Sequence, residues 1–120
     1  MKTTQNPDLA MGIGSVVYAL AKVDGRIQLA EMQTVKEIMA NEPHGDLALH
    51  AFFLKENYDE SPEEAYAFGL RRFKANRHSL DKATKQRYIA LLQKVAEAHD
   101  DISRKEQELI QNFRRELRRL

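Results

Sequence analysis

Cysteine is absent from this 120-residue chain. That excludes disulfides, thiolate nucleophiles and cysteine-ligated zinc, and it is compatible with a reducing compartment. Glycine and proline are scarce, at five and three residues. No apolar run approaches the length that spans a bilayer, so no integral membrane segment is expected. The start, "MKTTQNPDLAMG", has no basic segment leading into an apolar one, so no secretory leader is expected either. Charge of one sign is also lacking: the formal net charge is +1, and nothing global argues for nucleic acid or a membrane surface.

What is present is helical periodicity. Hydrophobic residues make up 42% and charged residues 31%, enough for one core under a soluble surface. Apolar residues recur at three and four residues, and strand-like alternation is weak. The spacing predicts six helices within a single domain, residues 1–120. The first runs from about Asp8 to Lys22, with Ile13, Val16, Val17 and Leu20 inward. The second runs from about Leu29 to Asn41, with Met32, Val35, Ile38 and Met39 inward. The third covers about Leu47 to Asn57 with Leu49, Phe52 and Phe53. The fourth starts at Ser61-Pro62 with Glu63 and Glu64 in its first turn, carries Tyr66, Leu70 and Phe73, and fades near Asn76. The fifth spans about Lys82 to His99, burying Tyr88, Leu91, Leu92 and Val95. The sixth begins at Ser103 and carries Leu109, Ile110, Phe113 and Leu117. Short connections between amphipathic helices mean an all-α compact bundle.

The chain also matches itself at an offset of 75 residues. Val16, Val17 and Leu20 fall on Leu91, Leu92 and Val95. Ala21 falls on Ala96, Ile27 on Ile102, Glu31 on Glu106, Val35 on Ile110 and Ile38 on Phe113. The simplest physical reading is two related helical hairpins with the third and fourth helices inserted between them. Val16, Leu20, Ile27, Val35, Leu92, Val95, Ile102, Ile110 and Phe113 are expected to be largely buried, with Ile27 and Ile102 as apolar plugs at the two corners.

The first corner reads "DGRIQLAE", Asp24 to Glu31, the second half of a calcium loop. An EF-hand loop takes ligands from positions 1, 3, 5, 7, 9 and 12 of twelve, with glycine at 6. Asp24, Gly25 and Glu31 fit positions 5, 6 and 12. Leu20 and Lys22 would then stand at positions 1 and 3, and neither ligates calcium. The second copy offers only Glu97 and Glu106 as carboxylates at positions 3 and 12. Too few oxygens converge for an EF-hand. A purely structural role accounts for both corners. Asp24-Gly25 ends a helix, Ser103 and Glu106 form a capping box, and Gln28 and Glu31 form a weaker one.

The pattern A-x-x-D-G-x-I-x-x-x-E at this junction, echoed near the C-terminus, resembles the TerB-like family, which takes in tellurite-resistance TerB and the N-terminal domain of the co-chaperone DjlA. Ala21, Asp24, Gly25, Ile27 and Glu31 carry the resemblance, with Ala98, Ile102, Ser103 and Glu106 in the second half. It covers nearly the whole chain. It implies an all-α bundle and a stress-response, scaffold or interaction module with no catalysis and no required cofactor. It also implies a weak divalent-cation site, for calcium or magnesium, at Asp24, Glu31, Asp100 and Glu106. The second copy departs from the pattern: His99 stands where Asp24 does, and Asp100 takes the glycine position.

No other constellation suggests chemistry. His44, His50, His78 and His99 show no i, i+3 or i, i+4 pairing and no HExxH. Ser15, Ser61, Ser79 and Ser103 lack nucleophile-elbow context. "MGIGS" lacks the spacing of a phosphate loop. The basic stretches "RRFKANRH" and "FRRELRRL" read as cations at helix C-termini and a solvated face. They lack aromatic interleaving, so nucleic acid is not expected.

The reading is therefore a non-enzymatic cytoplasmic module of stress-response or tellurite-resistance type with unidentified protein partners. Its alternative is a co-chaperone-like interaction domain without metal. Convergence of the four carboxylates favours the first, and dispersal into separate caps favours the second.

Overall fold

Helix α1, Pro7–Lys22, is apolar almost all round, and a helix of that kind belongs inside. A computed structural model describing residues 6–98 and 101–120 places it there. Asn6 caps it by accepting the Asp8 N–H at 2.8 Å, with Pro7 at the first helical position, where no amide donor is needed. Every residue from Gly12 to Leu20 is buried.

Five further helices wrap this axis: α2, Leu29–Met39; α3, Gly45–Asn57; α4, Pro62–Ala75; α5, Lys82–Glu97; and α6, Arg104–Arg119. A 3₁₀ turn at Arg77–Ser79 links α4 to α5, and no strand occurs among the described residues. The starts follow local chemistry. Ser61 accepts the Glu64 N–H at 3.1 Å, and Asp81 accepts the Thr84 N–H at 2.8 Å. Helices α1 and α5 begin and end 75 residues apart, and α2 and α6 begin 75 residues apart. The two hairpins of the sequence match are thus α1–α2 and α5–α6.

Small residues let α3 and α4 approach α1 closely. Gly14 lies against the Ala48 backbone, and Gly69 against Val16 and the Gly12 carbonyl. Aromatic rings fill the rest. Tyr18 meets Phe52 edge-on at 5.7 Å, and Phe73 lies 5.7 Å from Tyr88 and 5.8 Å from Phe113. The Tyr18 hydroxyl, buried with its ring, donates to the Glu60 carbonyl at 2.6 Å. None of the described helices is long and apolar enough to cross a membrane.

Eight of the nine expected core residues are buried; Ile102 is the correction. It is only half-buried and lines an open groove on the outer side of the α5–α6 hairpin, whereas Ile27 at the α1–α2 corner is 3% exposed. The fifth helix runs to Glu97, and its expected end, His99, lies outside the described residues.

Candidate functional site: an acidic cleft between the two hairpins

The two corners face one another. Asp24 lies in the turn that ends α1, where Gly25 takes φ +119° and its N–H bonds the Lys22 carbonyl at 2.8 Å. Glu31 lies in the first turn of α2, and its Oε1 accepts the Gln28 N–H at 2.6 Å. Glu106 repeats that arrangement in α6: its Oε1 accepts the Ser103 N–H at 2.9 Å, and its own N–H donates to the Ser103 hydroxyl at 3.1 Å. Both glutamates are therefore held by reciprocal helix caps.

Between these corners lies a cleft of about 140 Å³. Asp24, Glu31, Asp101 and Glu106 supply its carboxylates, with Thr34 and Ser103 as hydroxyls and Val35 and Val95 toward the core. The structure thus brings together three of the residues expected to ligate a cation. The fourth, Asp100, lies outside the described residues. Asp101, which the sequence reading did not select, lines the cleft instead. No signal at the 75-residue offset marks it, because its counterpart there is Arg26.

The electrostatics follow from this convergence. The Glu106 carboxyl is held above its ordinary pKa, first by burial and then by the negative charges of Asp24 and Glu31, against opposing hydrogen bonds from Ser103. Lys22, the last residue of α1, pairs with Asp59 beyond α3, at 2.6 Å. That ion pair depresses the Asp59 pKa.

The donors suit a hard divalent cation in kind, being carboxylate and hydroxyl oxygens. Their spacing is looser than a coordination shell. Among the described residues, no three His, Cys, Asp or Glu side chains stand close enough to share a metal ion. The caps occupy one oxygen of each glutamate. Asp24 and Asp101 are exposed, with room to turn toward the cleft.

The family model for tellurite resistance protein TerB matches residues 10–118 of the chain. Comparison with curated proteins gave no match, and comparison with solved structures gave none.

Proposed function

Because the chain belongs to the tellurite resistance protein TerB family, we propose that it is a non-enzymatic, cytoplasmic stress-response module of tellurite-resistance type. Its acidic cleft takes a divalent cation weakly, calcium or magnesium, and it acts through protein partners. The observation that carries the cation reading is the meeting of carboxylates from both hairpins in one cleft. Carboxylates from two hairpins that line one cleft repel, and a cation drawn among them would relieve that repulsion. Glu31 and Glu106 would hold it from fixed positions, with Asp24 and Asp101 completing its shell and Thr34 and Ser103 adding neutral oxygens. A shell that must be completed by exposed side chains costs conformational entropy, so affinity is low.

The runner-up, an interaction domain without metal, draws support from the caps, which already give both glutamates a structural task. Calorimetric titration of calcium and magnesium into wild type and the Glu31→Gln/Glu106→Gln variant separates the two readings. The cation reading expects heat in wild type that disappears in the variant. Heat unchanged in the variant rules these residues out as ligands, and no heat in wild type at millimolar cation leaves the metal-free module.

A further inference from the structure

On the outer side of the α5–α6 hairpin runs a groove of about 530 Å³, lined by Gln93, Ile102, Gln107, Ile110, Gln111 and Arg114. At the 75-residue offset these positions correspond to residues of the α1–α2 hairpin: Gln93 to Tyr18, Ile102 to Ile27, Gln107 to Met32 and Arg114 to Met39. On α1–α2 the Tyr18 and Met39 ends of that surface are covered by α3, while Lys36, the counterpart of Gln111, stays exposed. The Tyr18 ring packs edge-on against Phe52 of α3, Gly14 meets the Ala48 backbone, and Gly45 sits over the Met39 carbonyl. Tyr18 and Met39 are wholly buried there. The α5–α6 hairpin meets α4 through Tyr88 and Phe113 instead, and its α3-like seat is open.

We infer that this groove is a docking seat for an acidic amphipathic helix of a partner protein. The corresponding surface of the first hairpin holds a helix of 13 residues, which defines the shape of the occupant. The side chains differ in the direction that reversible docking requires. Tyr18 and Met32 give way to glutamines and Met39 to arginine, so the open seat is wettable, while Ile102 and Ile110 keep an apolar floor. A helix lying there buries an apolar stripe on those isoleucines and meets amide groups along its flanks.

Charge sets the sign of the partner. The exposed residues of α6 include Arg104, Arg114, Arg115 and Arg118, against Glu108 as its one exposed acid. A carboxylate on the flank of the docking helix would face Arg114, the charged side chain among the described residues that lines the groove, favouring acidic over basic helices even with Glu97 beside Gln93. Single-stranded nucleic acid is the poorer occupant, because among the described residues no aromatic side chain lines the groove for bases to stack on.

The test is a displayed library of amphipathic helices about four turns long, with charged and apolar positions randomised, sorted on the full chain. Enriched clones should be acidic. They should bind Arg114→Glu and Ile102→Ser at least about tenfold more weakly, and Arg71→Glu, on α4, as tightly as wild type. Arg114 is exposed, so its substitution leaves the core intact, and circular dichroism of each variant checks the fold. Enrichment of basic helices, no enrichment, or clones indifferent to both groove substitutions would overturn the inference. So would sedimentation showing a wild-type dimer that Arg114→Glu dissolves, since a second copy would then be the occupant.

Discussion

Glu31 and Glu106 hold equivalent positions in two capping boxes and line the same cleft: the Oε1 of one accepts the Gln28 N–H at 2.6 Å, the Oε1 of the other the Ser103 N–H at 2.9 Å. Each glutamate is locally useful, yet together they are mutually repulsive. The Glu106 carboxyl is held above its ordinary pKa mainly by burial, with the charge of Asp24 and, least, that of Glu31 adding to the rise. A carboxyl with a raised folded-state pKa favours folding at pH values below the unfolded pKa. That contribution is lost as pH rises through the folded pKa. At neutral pH the charge on Glu106 therefore works against the fold. Glu106→Gln keeps an oxygen for the Ser103 N–H and removes the charge. Its urea midpoint in chelator-treated protein at pH 7 should equal or exceed that of wild type. A clear loss of stability would show that the charge itself serves the cap.

The crossing of α1 and α3 should be intolerant of a single methyl. A Cβ on Gly14 would run into the Ala48 carbonyl oxygen, with the carbonyl carbon 2.8 Å away, and backbone there cannot give. Gly14→Ala should cost at least about 1–3 kcal/mol, the usual range for overpacking. Ala is otherwise the better helix former, by about 1 kcal/mol. A variant as stable as wild type in chemical denaturation would show that the helices are further apart.

The two corner isoleucines should differ. Ile27→Ala removes a buried side chain and should cost about 2–5 kcal/mol. Ile102→Ala truncates a half-buried one beside the open groove and should cost less, roughly 1–2 kcal/mol by its smaller buried area. Equal losses in urea melts would mean that the second corner is as closed as the first.

Alkali should unfold the protein through its buried phenols. Burial pushes Tyr18, Tyr66 and Tyr88 each up to about 12 from the ordinary 10.0. A group with a raised folded pKa contributes stability below the unfolded pKa and loses it as pH rises through the folded one. Stability should therefore fall between pH 10 and about 12, with phenolate absorbance and loss of helical ellipticity rising together. Full phenol ionisation in a still-helical chain would contradict the burial of these rings.

Much of this fold was legible because helical periodicity reports local burial directly. Val16, Leu20 and Val35 recur at the spacing that one helix face requires, and Ser61-Pro62 marks a start by its own chemistry. Ile102 shares the local pattern of Ile27, yet only tertiary placement decides which corner receives a covering helix. Gly14 inside a helix gives no sequence sign of the Ala48 backbone it must admit. Asp24, Glu31 and Glu106 were readable from the repeated motif. Asp101 was not, since its place in the cleft depends on the path of the turn and not on spacing along a helix.

The most direct test of the cation cleft watches the two capped amides. In an ¹⁵N-labelled, chelator-treated sample titrated with calcium, the Gln28 and Ser103 amide signals should shift together and saturate at a common concentration. Each donates to a glutamate oxygen of the cleft, so each senses its carboxylate directly. Signals at Gln28 and Ser103 that stay fixed while the exposed Asp59 region shifts would contradict it, because calcium would then be collecting on surface acids outside the cleft.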